Sequence, residues 1–425
     1  MNTVPKGNRL HIAIFGRTNV GKSSLLNYVL DQELAITSSV AGTTTDVVEK
    51  AAEFLPLGPV LFIDTAGLDD TSSLAWLRVQ KTENVYNRAD VILLVTEPDQ
   101  WTHYEDAVCE KAEEKKIPLI IIVNKADLKI PSEEFLKRIK EKSDNLIALS
   151  TIDDAGREKN ITLLKQYLLA VSPERQMAAP SLVGDLLPSR GGLILFVIPV
   201  DAQAPKGRLI LPQVQTIRDA LDHLASSLVI RETEIKYALS LLKRAPDLVV
   251  ADSQAISQVS ADVPENIPCT TFSILMTHQK GDLAVAAEGV AAIESLRSGD
   301  KVLIAESCSH HPLQDDIGRV KIPRLLQEYV GGDLDISVSS GHDYPAHLEE
   351  YKVIIHCGGC MLNRRAMLSR ISMAQGSQVP ITNYGLAISL TQGVVRRVLS
   401  PFPKALAAYD RVWKETRGAK SDNVL

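Results

Sequence analysis

Four groups of residues in this chain carry types that do chemistry only in company. Gly16-Arg17-Thr18-Asn19-Val20-Gly21-Lys22-Ser23-Ser24 fits the phosphate loop G-x-x-x-x-G-K-S/T. Its glycines let backbone N–H groups curl around phosphates, Lys22 neutralises the β and γ oxygens, and the Ser23 hydroxyl is a magnesium ligand at a helix N-terminus. In Asp64-Thr65-Ala66-Gly67 a carboxylate can hold that magnesium through water while the Gly67 amide senses the γ-phosphate. Asn124-Lys125-Ala126-Asp127 is selective: the Asp127 carboxylate can accept from guanine N1–H and the 2-amino group together, a pattern adenine does not offer, while the Lys125 stem packs on the ring. The fourth group is split between Cys308-Ser309-His310-His311 and His356-Cys357-Gly358-Gly359-Cys360. Cys-x-x-Cys turns two sulfurs toward one metal centre, and the residues allow either a closed zinc site of three Cys and one His or an iron–sulfur cluster with three thiolates and a weaker fourth ligand.

Such residues need rigid elements beneath them. Up to about residue 170 apolar strands alternate with helical patterns: Leu10 to Phe15, a helix from Lys22, then Val60 to Ile63, Val91 to Val95, Leu119 to Val123 and Leu146 to Ser150. That rhythm predicts a mostly parallel sheet covered on both faces, with each nucleotide motif directly after a strand. Breakers from Ser172 to Gly192 mark a linker. Beyond it, strands are expected at 192–200, 208–211, 227–231 and 248–251, with helices from Gln213 and Glu232, before the breaker at 261–264. This stretch is near the size at which one core is marginal, which suggests association with another copy. From about 265 alternation resumes: helix Leu283 to Leu296, strand Lys301 to Ala305, helix Pro323 to Val330, strands Leu334 to Val338 and Tyr351 to Ile355, a helix from Asn363 and strand Val379 to Thr382. A doubly wound sheet binds ligands beyond the carboxyl ends of its strands, where both cysteine motifs fall. No internal repeat is evident.

Composition excludes several classes. A chain of 425 residues has room for roughly three domains. Its 45% hydrophobic and 23% charged residues are those of a globular protein. With 46 basic against 52 acidic residues no global field draws it to nucleic acid or anionic lipid. The longest apolar runs, Leu193 to Val200 and Ile117 to Val123, are far too short to span a bilayer, and Met1 to Leu10 does not read as a secretory leader, so a cytoplasmic location is expected. Cys109 and Cys269 have no histidine or cysteine neighbours and read as packed thiols.

The nucleotide motifs together resemble the GTPases of the TrmE and Era class over residues 9–170. The resemblance implies that Thr44, in Gly42-Thr43-Thr44-Thr45-Asp46, closes on Mg2+ when GTP is bound, and that Ser150 and Thr151 form the last guanine-contacting loop, although alanine is usual at position 151. Lys22, Thr44, Asp64 and Gly67 are then the catalytic set. Leu68 stands where Ras-like enzymes carry a water-positioning glutamine, and in this class potassium, held partly by the loop asparagine (Asn19 here), supplies the missing charge, so slow, potassium-stimulated hydrolysis is expected.

As a whole, a GTPase domain followed by Cys-x-His and His-Cys-x-x-Cys resembles the HydF family of di-iron hydrogenase maturation GTPases. The resemblance implies an α/β protein with a P-loop GTPase domain at 1–172, a linker and small α/β dimerisation domain at 173–264, and a doubly wound α/β cluster-binding domain at 265–425. It implies a 4Fe–4S cluster on Cys308, Cys357 and Cys360 with His310 or His356 at the fourth iron, a homodimer, and a scaffold that carries the di-iron precursor to apo-hydrogenase, with radical-SAM maturases as further partners. The competing reading is an RNA-linked GTPase, for ribosome assembly or tRNA modification, with a structural zinc. Against it, Lys321, Arg324, Arg364, Arg365 and Arg370 are too scattered for a phosphate track, and no nucleic-acid or membrane partner is expected. A redox enzyme would need a second cofactor motif such as G-x-G-x-x-G after a strand, and none is found.

Overall fold

The computed structural model describes residues 4–30, 48–65, 75–172, 180–188, 191–200, 209–307, 316–341, 344–345 and 347–421. The chain divides into two compact units, 1–178 and 179–425.

The first unit is built on a six-stranded sheet of order β2-β3-β1-β4-β5-β6, from β1 (Leu10–Phe15), β2 (Val48–Phe54), β3 (Gly58–Asp64), β4 (Val91–Thr96), β5 (Leu119–Val123) and β6 (Leu146–Ala148). Strands β1, β3, β4 and β5 are almost wholly apolar because helices cover both faces. Ile12 and Ile14 of β1 pack with Leu25, Leu26, Leu164 and Leu168 on one side, and Ala13 and Phe15 pack with Tyr86, Val108 and Ala112 on the other. β2 was not expected. It is the antiparallel edge strand, its sequence is polar and half-exposed, and it carries little apolar periodicity.

The second unit holds two four-stranded sheets that repeat one another. The first comprises β7 (Leu193–Val197), β8 (Ser226–Ile230), β9 (Leu248–Ala251) and β10 (Cys269–Thr271), in the order β10-β9-β7-β8. The second comprises β11 (Lys301–Ala305), β12 (Asp335–Ser339), β13 (Val353–His356) and β14 (Ile381–Asn383), in the order β12-β11-β13-β14. Both sheets are wholly parallel, and in each the first strand in chain order lies between the second and the third, with the fourth beyond. Registers correspond as well: Val197, Ala251 and Thr271 align across the first sheet as Ala305, His356 and Asn383 do across the second. The repeat that the sequence did not reveal is thus present in the backbone, with only scattered echoes such as Pro268/Pro380, Thr270/Thr382 and Gly281/Gly393.

Two local expectations change. The segment around Thr270 supplies β10 to the first sheet through pairing with β9, and the chain then turns at once into the helix Phe272–Lys280, N-capped by the Thr271 side chain. No strand forms at Leu209–Leu211; the helix Leu211–Asp222 starts there because Pro212 is pre-set for a first turn and the Gln213 side chain accepts from the Ile210 N–H (3.0 Å). One continuous core joins the two sheets, including Phe196, Val250, Met276, Ala287, Val302 and Leu386. The terminal helix Pro403–Ser421 lies along the small-residue helix Leu283–Ala292. Among the described residues no helix is long and apolar enough to cross a membrane.

Candidate functional site

The nucleotide motifs converge at the carboxyl edge of the first sheet. β1 ends at Phe15, the chain turns through Gly16–Gly21, and the helix Lys22–Val29 begins. The turn needs its glycines: at Gly21, φ is +96° and a Cβ would overlap the Asn124 side-chain amide. Lys22, 6% exposed, folds back to donate to the carbonyls of Gly16 and Arg17 (2.9 Å to the latter), which places its ammonium inside the loop. The Ser23 hydroxyl donates to the Asp64 carboxylate at 2.8 Å. The two residues expected around magnesium thus meet directly, an arrangement a divalent ion can enter between hydroxyl and carboxylate. Val20 is buried, while Asn19, Ser23 and Ser24 are exposed at the mouth of the loop.

The guanine-reading motif is tied to the same loop. Asn124, 1% exposed, donates to the Val20 carbonyl (2.9 Å) and accepts from the Thr151 N–H (3.2 Å), so one buried amide links the phosphate loop to the loop after β6. Lys125 donates to the Asn19 carbonyl at 2.7 Å and pairs with Glu97 at the end of β4, a partner the motif did not predict. Ser150 is buried and its hydroxyl accepts from the Ile152 N–H (3.3 Å), while Asp127 is exposed beyond β5, open to a base. Thr44 and Gly67 lie outside the described residues.

The second site lies at the carboxyl edge of the last sheet. Ala305 of β11 is in register with His356 of β13, so the two cysteine segments leave neighbouring strands at the same level. The Cys357 N–H donates to the Ala305 carbonyl (2.9 Å), just as Asp252 N–H donates to Val197 in the first sheet (3.1 Å). Ser307 meets Cys357: its N–H lies 3.2 Å and its hydroxyl 3.0 Å from the Cys357 sulfur. Glu306, 4% exposed, accepts from Arg319 (3.0 Å) and Ser340 (3.2 Å), which fixes the strand end just before it. Gly359 takes φ +65°, the left-handed turn that brings Cys360 round. Burial first, and then the neighbouring Cys357, push the Cys360 thiol up, while Lys280 and the N–H groups of Cys360 and Met361 pull it back. Cys308 and His310 lie outside the described residues.

His356 does not present a lone pair to the cysteines. Its Nδ1 is 2.7 Å from the Cys357 carbonyl, which only accepts, and its Nε2 is 2.6 Å from the Arg370 guanidinium, which only donates. The imidazole is therefore neutral, protonated at Nδ1, with both nitrogens engaged. Burial, then Arg370, lower its pKa to about 3. In this arrangement His356 braces the turn that carries Cys357. Ser307 and Lys280 escaped sequence reading. Ser307 could have been noticed as the residue before Cys308, whereas nothing near Lys280 in the chain points to a site.

Models of the hydrogen maturase F dimerization domain and tetramerization domain match residues 182–281 and 284–401, together more than half of the chain, and a model named 50S ribosome-binding GTPase matches 11–125. GTPase Era of Thermoanaerobacter sp. is 35% identical over 173 residues, 38% of this chain and 54% of that protein. The tRNA modification GTPase MnmE of Lactobacillus helveticus is 37% identical over 165 residues, 38% of this chain and 34% of that protein. The chain thus spans about half or less of the length of these curated relatives. Among solved structures, Aquifex aeolicus Era bound to GDP and aluminium fluoride is 18% identical with a TM-score of 0.32, covering 60% of this chain and 98% of that one. The G domain of the T. maritima FeoB iron transporter is 20% identical with a TM-score of 0.30, covering 39% and 99%. With a GTPase domain akin to TrmE and Era in front and both hydrogen maturase F domains behind it, the chain belongs to the hydrogen maturase F (HydF) family.

Proposed function

We propose that this chain is a GTP-hydrolysing scaffold that holds a 4Fe–4S cluster on Cys308, Cys357 and Cys360 and assembles and delivers the di-iron precursor to apo-hydrogenase. The observation that carries the cluster reading is the contact of Ser307 with the Cys357 sulfur. Cys308 is the next residue after Ser307 in the chain. The donor set is soft and sulfur-rich, with N–H groups and a buried cation around it, which suits an iron–sulfur unit; when bound, that unit would supply an iron site for an incoming metal group. His310 or His356 is the histidine candidate for an exchangeable fourth position, His356 only if its contact with Arg370 gives way.

At the other end, Lys22 and the loop amides would hold the phosphates, Ser23 and Asp64 the Mg2+, with Thr44 closing over it, and Asp127 the guanine. Asn19 stands exposed on the loop where a potassium ion would complete the charge, giving slow, K+-stimulated hydrolysis. The middle part of the chain is proposed as a homodimer interface, and the family's tetramerization domain extends that to dimers of dimers. Radical-SAM maturases and apo-hydrogenase are the proposed partners. The deciding experiment is anaerobic reconstitution with iron and sulfide, followed by metal analysis and electron paramagnetic resonance of the reduced protein. About four irons per chain, lost in Cys357→Ala, is expected; zinc without iron would favour an RNA-linked GTPase with a structural metal.

A further inference from the structure

Lys280 is the last residue of the helix Phe272–Lys280 and is only 4% exposed. Its ammonium donates to two main-chain carbonyls of the cysteine turn, Cys360 (3.2 Å) and Leu362 (2.9 Å). Among the described residues no carboxylate pairs with it. Burying an ammonium on neutral acceptors alone is costly, and burial lowers the Lys280 pKa to about 8, so a neighbouring group of opposite sign would favour its charged form. Among the described residues the group that can take that sign beside it is Cys360, next to Cys357, once its thiol is ionised or metal-bound.

The repeat sharpens the point. By register, Lys280 of the first half corresponds to Gln392 of the second, and Cys357 and Cys360 of the second half correspond to Asp252 and Ala255 of the first. The cation and the thiols therefore belong to different halves, each departing from its counterpart, and the packing of the halves puts them together. We infer that Lys280 is a positioning residue that supplies positive charge to the cysteine site, holding the turn by its carbonyls and favouring an anionic metal–thiolate unit there. This rests on the reading of the cysteines as a metal site, without depending on which metal.

The test uses the full chain and two substitutions. Lys280→Met removes charge and donor, and Lys280→Gln keeps a donor but removes the charge. After anaerobic reconstitution, both variants are expected to show a reduction potential more negative than wild type and a several-fold faster loss of iron to a chelator, with GTP affinity unchanged. In parallel, the apo-proteins are titrated with Cd2+ and followed by thiolate charge-transfer absorbance, with several-fold weaker binding expected in both variants. If Lys280→Gln matches wild type in both assays, the charge has no role and the proposal is overturned. If wild type takes up no iron, the cluster reading fails separately, and the Cd2+ titration decides: weaker binding in both variants sustains the proposal, and equal affinity overturns it.

Discussion

Asp127 is exposed just past β5, and its value lies in what a carboxylate accepts. Asp127→Asn replaces one acceptor by a donor, which mismatches the guanine 2-amino group and matches the 2-oxo group of xanthine. Hydrogen bonds to a charged group are worth about 1.5–3 kcal/mol each, so GTP binding should weaken on the order of 100-fold while xanthosine triphosphate gains, as measured by competition with a fluorescent nucleotide. Glu49 on β2 offers a pH-dependent counterpart. Burial acts to raise its pKa, but Arg88 and Lys6 outweigh it and hold the carboxyl at about 2. Its folded value lies below the unfolded one of about 4.3, so its stabilisation is fully present above that pH and is lost as pH falls toward 2. Glu49→Gln should cost about 1–2 kcal/mol at pH 7, less than the full shift would give because the pair is partly solvated, and the deficit should shrink by pH 3; urea unfolding at both pH values reads it.

At the scale of elements, the helix Leu283–Ala292 is pressed onto β14, and Gly289 is what permits it. A Cβ at this position would run into the Ile381 main chain, which has no flexible end to give way. Gly289→Ala should therefore destabilise the second unit by about 3 kcal/mol despite the better helix propensity of alanine, seen as a lower thermal midpoint with nucleotide binding retained. Elements with continuous apolar runs, such as β4 and β5, were legible from sequence because they are buried on both faces. β2 was not, since an edge strand half in water needs no apolar pattern. The first turn at Pro212 was misread as a strand because Leu209 to Leu211 is apolar and β-prone, and the chemistry of the following residues decided the matter.

At the scale of the whole molecule, the GTP loop and the cysteine turn sit in units with separate cores. Cys357→Ala is expected to remove metal binding while changing GTP affinity by less than about twofold, a result isothermal titration of the purified variant would check. The convergence of the motifs that carry Lys22, Ser23, Asp64, Asn124 and Asp127 on one sheet edge was legible in sequence alone, because each motif comes at or just after the end of a strand whose period announces it and the motif spacing sets the loop. Cys357 and Cys360 were legible for the same reason. Only the tertiary structure decided that Ser307 lies against Cys357, that Arg370 occupies the imidazole of His356, and that Lys280 reaches the turn from 80 residues away. The first two contacts come from strand pairing and helix packing within the second sheet's half and the third from packing two like sheets on a shared core, and local sequence carries no periodicity or spacing that reports which side chains will meet.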